Sequence, residues 1–449
     1  MSTLPPGPRL PRWVQTAGFI VGGVRYLEAC RRRYGDLVTM GTLFDSGFVM
    51  VFNPAHVKEL FQGSNEQLHA GEANALLGPI LGERSVLLLD GAEHLRHRKL
   101  LLPTFHGTRM RVWAETMRDA ADLEIDSWPV GEQFSLFTSM QSLTLRVIIR
   151  VVFGYAPGPE ADELQRRLRA MIEPVARPRG LLLAQLLARF GWRGERKAVS
   201  RFEAQRRGVD ELLYAEIARR RAEPDLDERT DVFSALLLAQ DEQGQRLSDR
   251  EVRDELVTLL LAGHETTAVG LAWTFDLLLH APEVMQRASD GDDEYLDAVV
   301  KEALRIRPVI PGVGRVVRGA PFRLGGYEIP PGMEINPSIR AIHRRAELYP
   351  EPGAFRPERF LGANPPDTYT WIPFGGGTRR CLGASFAQME MRIVLGRVLE
   401  RATLRPASTT PEEASFRGIT VAPRNGVQVV QERAPARIED PAAELQPAS

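Results

Sequence analysis

Two short, mostly apolar runs near the start of the chain, Leu37-Val-Thr-Met40 and Phe48-Val-Met-Val-Phe52, rich in β-branched and aromatic residues, have the length and composition of strands. They flank the turn-forming run Asp45-Ser-Gly47 and predict paired strands, following a helix that ends near Arg33. Asn53-Pro54 then predicts a helix start, with asparagine as cap and proline at the first helical position. Between residues 68 and 93 the periodicity lapses, which predicts a long glycine-punctuated loop carrying Ala75, Leu76, Leu77, Leu87, Leu88 and Leu89. Loops of that length in compact domains tend to be functional. From about residue 108 to 280 the helical period dominates, broken at Glu173-Pro-Val-Ala-Arg-Pro-Arg-Gly180 before an apolar stretch from Leu181 to Trp192. Within it, Ser248-Asp-Arg-Glu251 is a capping-box sequence. No strong breaker follows until Pro282, so a helix of about 30 residues, roughly 45–50 Å long, is expected there. Strand alternation appears over residues 322–336, interrupted by Gly-Gly and Pro-Pro-Gly turns. It recurs at Gly418-Ile-Thr-Val421 and Val427-Gln-Val-Val430, which read as one sheet element around Arg424-Asn-Gly426. Residues 432–449, rich in Pro, Ala and charge, have little to bury and are expected to be a disordered tail. The fold class expected is mainly α with small β-sheets (α+β).

Composition narrows the function classes. A chain of 449 residues would divide into about three units on a length prior, but no linker supports a split, so one domain over 1–431 is expected. Lysine plus arginine (57) nearly cancel aspartate plus glutamate (58), so no overall field points to nucleic acid. The only two cysteines, Cys30 and Cys381, exclude a disulfide framework and suit a reducing cytoplasm. Cys30 sits in a helical stretch and reads as a small packing residue. The most apolar N-terminal run, Phe19-Ile-Val-Gly-Gly-Val24, falls far short of the roughly 20 residues needed to span a bilayer, so no membrane anchor is expected.

The chemistry concentrates in the stretch 371–388, Trp-Ile-Pro-Phe-Gly-Gly-Gly-Thr-Arg-Arg-Cys-Leu-Gly-Ala-Ser-Phe-Ala-Gln, which sets Cys381 between a glycine-rich loop and a helix start. Gly375, Gly376 and Gly377 allow tight folding and close approach to a flat ligand. Arg379, Arg380 and the amides of a helix beginning near Gly383 favour a thiolate, the form that binds metal. A phosphate loop would need Gly-Lys-Ser/Thr where Arg379-Arg380-Cys381 stands, and is rejected. In the long helix, His264-Glu265 lacks a second histidine one turn on, position 268 being alanine, so a zinc site is rejected too.

Phe374, Gly377, Arg379, Cys381 and Gly383 resemble, position for position, the haem-binding signature of the cytochrome P-450 haem-thiolate monooxygenases. The resemblance runs over nearly the whole chain and implies that family's fold, with a long central helix over haem b (iron protoporphyrin IX) and Cys381 as the metal ligand, beside Gly375. Ala262-Gly-His-Glu-Thr-Thr267 resembles the oxygen-binding motif: Ala262 and Gly263 pass close to the iron, Thr266 hydrogen-bonds the activated dioxygen, and Glu265 feeds protons through water. His94, Arg98 and Arg315 match contacts to the haem propionates, while Arg96, His97 and Lys99 read as a solvated helix face that could also help dock an acidic electron donor. Glu302 and Arg305, with Arg359, match a buried structural cluster behind the haem.

By family position the substrate pocket draws on Leu76, Leu77, Ile310, Val313 and Ile419, all aliphatic. The apolar run 181–192 falls in the substrate-entry region, where a packed core helix is an equal alternative. Leu102-Pro-Thr-Phe-His-Gly107 resembles a bacterial branch with lipid-oxidising members. The expectation is a monomeric, cytoplasmic, prokaryotic-type enzyme that hydroxylates or epoxidises a lipophilic small molecule (a fatty acid, terpenoid, steroid or macrolide) with O2. Electrons would come from a separate ferredoxin or flavodoxin and its NAD(P)H reductase, with no nucleic acid as partner. The competing readings are a peroxide-dependent peroxygenase of the same fold, a non-catalytic haem sensor or carrier, and a helical binding protein without haem.

Overall fold

The computed structural model describes residues 4–43, 45, 47–105, 109–156, 158–176 and 195–433. The apolar run 181–192 and all but the first two residues of the C-terminal tail lie outside them. The capping box is formed: Ser248 accepts from the Glu251 amide, and the Glu251 carboxylate accepts from the Ser248 amide at 2.7 Å. From it runs the central helix, Asp249–Leu279, 31 residues buried around most of its circumference. It packs along the Leu136–Phe153 helix, and the two share one hydrophobic core with Trp113, Phe153 and Phe233. Both are long and apolar enough to cross a membrane, but most of each is buried inside the protein, as core helices are. Asn53 caps the Pro54–Phe61 helix, accepting from the Ala55 amide at 2.9 Å.

Sheet structure is peripheral. Strands β1 (Leu37–Met40) and β2 (Phe48–Val51) pair antiparallel as expected. They extend into a five-stranded sheet in the order β1-β2-β8-β5-β3, with β3 at Leu68–His69, β5 at Arg315–Val317 and β8 at Glu334–Pro337. β6 (Phe322–Leu324) and β7 (Tyr327–Ile329) form a hairpin. Cys30 is buried with Leu27 and Val38, the packing role read from its surroundings.

Two local expectations are corrected. Residues 68–93 are not one irregular loop: after β3 come helical turns at Ala70–Ala73, Ala75–Leu77 and Gly78–Leu81, and the Gly91–Leu101 helix begins inside the span. Carboxylates within the span and on the central helix order them. Asp90 accepts from the Gly71 and Glu72 amides (2.8 and 3.1 Å), Asp254 from the Arg84 amide (2.9 Å) and Glu255 from the Val86 amide (2.9 Å). The two C-terminal strands do not pair with each other. β11 (Thr420–Pro423) pairs with β10 (Ala414–Arg417), whereas β12 (Gln428–Gln431) lies between β4 (Gln133–Ser135) and β9 (Leu404–Pro406). Arg424-Asn-Gly426 is therefore a crossing between sheets rather than a hairpin turn.

Candidate active site

The cysteine loop folds back on itself, the Cys381 amide donating to the Phe374 carbonyl at 3.0 Å. Gly375 and Gly377 hold φ of 66° and 65°, a left-handed conformation that glycine adopts without cost. The glycines do not all serve a flat ligand. A Cβ on Gly377 would lie 2.1 Å from the Phe61 carbonyl oxygen, and one on Gly376 would lie 2.2 Å from the Phe61 ring. These two let the loop close on the Pro54–Phe61 helix. Gly375 is the freer one, with Val313 the only neighbour of a Cβ placed there, at 3.7 Å.

Cys381 is accessible, yet burial pushes its thiol above the ordinary value, consistent with a sulfur set back in a recess. The Gly383 amide, Arg98 and Arg380 pull the other way and favour the thiolate. Arg379 does not take part as expected from sequence. Its guanidinium turns to the Asp90 carboxylate and to the carbonyls of Leu89 (2.5 Å) and Val86 (3.3 Å). Sequence reasoning passed over Asp90, whose local signal is only its position before the Gly91–Leu101 helix.

Around the recess sits an excess of positive charge. His94, Arg98, Arg315 and Arg379 face one another closely enough to depress each other's proton affinity. Burial, then Arg379, Arg98 and Arg315, lowers His94 to about 3, and burial with Arg379 lowers Arg315 to about 10. Arg98 and Arg315 have no carboxylate partner among the described residues, Arg315 donating only to the carbonyl of Gly314 at 2.8 Å. His94 Nδ1 and Arg379 Nε are buried without a partner. Buried cations of this kind are costly unless an anion meets them. A planar group carrying two carboxylates fits, which is what haem propionates supply. Arg98→Leu and Arg315→Leu should each raise the haem release rate about 10- to 100-fold, the loss of a charged hydrogen bond being worth about 1.5–3 kcal/mol. Haem transfer to apomyoglobin would measure it.

On the central helix, Ala262 is exposed and Thr266 half-buried although the flanking turns are buried, so this face opens onto a cleft. Thr266 Oγ1 donates to the Ala262 carbonyl and leaves its lone pairs free. The helical ladder nevertheless runs unbroken through the motif. Gly263 has a packing role as well. A Cβ there would come within 2.7 Å of the Ile148 side chain, so the missing side chain lets the Leu136–Phe153 helix pack close. Glu265 is not free to move protons as it stands: Arg417 Nε and Gln141 Nε2 each donate to its carboxylate at 2.7 Å. Its neighbour His264 is buried against Thr144 (3.1 Å), and burial lowers its pKa to about 4.

Behind the cysteine loop the predicted cluster is assembled. Glu302 accepts from Arg305 at 2.6 and 2.7 Å, from the Arg356 amide at 3.0 Å and from Arg359 at 3.2 Å. His343, overlooked in the sequence, couples it to the cysteine loop. Its ring nitrogens bond the Arg305 carbonyl (3.2 Å) and the Ile372 amide (2.9 Å), which fixes the proton on Nδ1.

Other expectations fare unevenly. His97 is not on a solvated face: it is 2% exposed and bonds Glu255 at 2.7 Å and Glu251 at 3.1 Å. Arg96 is tied to Asp241 and Glu251, and Lys99 to Glu242, so all three cations are already engaged with the chain's own acids. Of the pocket residues, Val313 lies against the cysteine loop. Leu77 is buried and packs into the main core with Ile80 and Leu81. Leu76 and Ile419 are exposed and Ile310 half-buried.

Comparison with known proteins bears on the whole chain. The family model described as Cytochrome P450 matches residues 5–429. A Mycobacterium bovis protein provisionally named cytochrome P450 135B1 is 41% identical over 95% of this chain and 91% of its own length. A Mycobacterium tuberculosis protein provisionally named cytochrome P450 135A1 is 40% identical over 95% and 94%. Among solved structures, the cytochrome P450DA haem domain matches with a TM-score of 0.82 at 22% identity, over 96% of this chain and 98% of that one. The retinoic-acid-bound cyanobacterial CYP120A1 matches with a TM-score of 0.78, also at 22% identity, over 96% and 99%. A cysteine loop backed by a locked ion cluster, a recess lined with unpaired cations and a match from end to end converge: the chain belongs to the cytochrome P450 family, and is a haem-dependent monooxygenase of bacterial type.

Proposed function

We propose that the chain binds non-covalent haem b through Cys381 and inserts one oxygen atom of O2 into a lipophilic small molecule of fatty-acid, terpenoid, steroid or macrolide type. The haem is of the non-covalent kind because Cys30, the only other cysteine, is buried in packing and no thioether pair exists. When bound, the haem supplies the redox chemistry of oxygen activation, tuned by a thiolate ligand. The chain's residues do the rest. The Gly383 amide, Arg98 and Arg380 favour the ionised sulfur, while His94, Arg98 and Arg315 hold the propionates. Thr266, its hydroxyl hydrogen committed to Ala262, offers lone pairs to a proton-bearing group in the cleft. Glu265 stores charge one residue away, on a carboxylate gripped by Arg417 and Gln141. Proton delivery requires one grip to open so that water can reach it.

The observation that carries the reading is the accessible Ala262–Thr266 face on an otherwise buried helix, with an acid beside it. A carrier or sensor has no use for that pair. The aliphatic character of Val313 and Ile310 favours lipophilic substrates. Two electrons per turnover come from a ferredoxin or flavodoxin with its NAD(P)H reductase, and the protein acts as a cytoplasmic monomer. The test is turnover with a heterologous ferredoxin, its reductase and NADPH. Wild type should consume NADPH and O2 and yield oxygenated product. Thr266→Ala should continue to consume NADPH while product falls about 100-fold, the scale of a lost proton-transfer contribution. Absence of NADPH-dependent product across lipophilic substrates, with peroxide supporting turnover instead, would favour the peroxygenase.

A further inference from the structure

The first helical segment is built with its polar side inward. In Arg12–Ala17 the buried side chains are Gln15 and Thr16. Gln15 Nε2 donates to the carbonyls of Leu10 (2.9 Å) and Pro8 (3.3 Å), and its Oε1 accepts from the Gly41 amide (3.1 Å). Thr16 Oγ1 donates to the Arg12 carbonyl (2.8 Å) and accepts from the Leu43 amide (3.0 Å). The apolar side chains point the other way. Trp13 is 63% exposed, Ile20 63% and Val21 88%, and Leu10 and Leu43 are exposed beside them. Trp13, Ala17, Ile20, Val21 and Arg25 recur at helical spacing through the π turn Gly18–Gly22 and form one outward stripe. A surface helix ordinarily shows the reverse arrangement. Large apolar side chains grouped on a surface mark an interaction site.

The charge around the stripe has one sign. The first 27 residues contain no aspartate or glutamate and carry Arg9, Arg12 and Arg25, all exposed. The carboxylate of Asp45, in the adjoining loop, is turned onto the Thr42 and Gly47 amides (3.1 and 2.9 Å). Glu28, the first acid in the chain, leans to Arg32 at 3.9 Å. A second copy docking here would set these cations against themselves. An anionic bilayer complements both features: tryptophan and aliphatic side chains suit the boundary between headgroups and acyl chains, and guanidiniums suit lipid phosphates.

We propose that this N-terminal face seats the protein reversibly on an anionic lipid surface. Leu10, Trp13, Ile20 and Val21 enter the headgroup boundary, and Arg9 and Arg25 meet lipid phosphates, while Arg12 donates to the Asp45 carbonyl at 2.8 Å. Among residues 4–34 no helix is long and apolar enough to span a bilayer, and the contact proposed is a peripheral one.

Flotation of the full-length, haem-loaded protein with phosphatidylcholine vesicles, with and without phosphatidylglycerol, tests it. Wild type should float with phosphatidylglycerol-containing vesicles and far less with phosphatidylcholine alone. Trp13→Ser/Ile20→Ser/Val21→Ser should cut the bound fraction about ten-fold or more, since these side chains contribute the inserted apolar area. Arg9→Gln/Arg25→Gln should abolish the preference for the anionic lipid. All five positions are exposed, so the thermal midpoint and the reduced carbon-monoxide spectrum should match wild type. The proposal is overturned if wild type floats with neither vesicle, or if the triple variant floats as wild type does. It is also overturned if wild type sediments as a dimer that the triple variant dissolves, which would assign the face to a second copy.

Discussion

Replacing Cys381 by alanine is expected to abolish the red-shifted carbon-monoxide band of the reduced protein, and monooxygenase turnover with it, while the fold survives. The sulfur is accessible and accepts a hydrogen bond only from the Gly383 amide among the described partners. The loop itself is held by backbone: the Cys381 amide on Phe374, the Arg380 amide on Gly377, and the glycines packed on Phe61. None of these needs the thiol. The stability of the haem-free chain should therefore change by less than about 1 kcal/mol, as for other accessible positions without buried contacts. Turnover should fall to background because no other described cysteine, histidine or carboxylate stands in this loop to replace the ligand. Cys381→Ser should behave alike, its alcohol being a far weaker anion than a thiol. Thermal unfolding, the carbon-monoxide spectrum and product formation read the three consequences separately. A variant that kept either the red-shifted band or turnover would remove Cys381 as the ligand and the haem-thiolate reading with it.

Glu302→Ala is expected to destabilise the protein by about 3–5 kcal/mol and to cost it haem, without any chemical role for the residue. Glu302 is completely buried and receives four donors, two from Arg305, one from the Arg356 amide and one from Arg359. Removing it strands the Arg305 guanidinium in the core, which is why the cost exceeds that of an ordinary buried hydrogen bond. Arg305 also donates to the carbonyls of His343, Pro352 and Ala354, at 2.8, 3.0 and 3.3 Å. A double replacement of Glu302 and Arg305 by leucine would orphan those carbonyls, so it too should destabilise. Arg359→Ala should cost less, since Arg359 gives Glu302 a single 3.2 Å bond from a partly exposed edge and otherwise donates only to the Glu351 carbonyl at 3.0 Å. Through His343 the damage reaches Ile372, and so the loop that positions Cys381. Denaturant unfolding with the haem content at purification measures both effects. A Glu302→Ala protein with wild-type stability and full haem would refute the locking role.

Features legible in the sequence are those whose determinants lie within one turn or one strand. Ser248 and Glu251 are three residues apart, so the capping box announces the start of the central helix, and absence of breakers up to Pro282 gives its length. Asn53, Pro54, the β1–β2 pairing and the β6–β7 hairpin are local in the same way. The cysteine loop could be read because its backbone demands glycine at fixed offsets from Cys381, and that demand shows as residue identity. Partnerships across the chain left no such mark. Asp90 and Arg379 are 289 residues apart, and Arg417 and Glu265 are 152 apart. Nothing near Arg417 shows that it will clamp the acid of the central helix, nor near Asp90 that it will hold an arginine away from the sulfur. Gly263 and Gly377 were recognisable as glycines the fold requires, but only the packing of Ile148 and Phe61 gave the reason.

The sequence by itself thus determined the family and the extent of the central helix, because each rests on short-range backbone geometry and a fixed residue spacing. The tertiary structure decided which charges are spent and which remain free. Arg379, Arg96 and Lys99 are consumed by the chain's own carboxylates, while Arg98 and Arg315 are left facing the recess beside a neutral His94. It also decided that the first helix turns its glutamine inward and its tryptophan outward. Both outcomes depend on what distant segments place opposite a side chain, and that opposition exists only once the chain has folded.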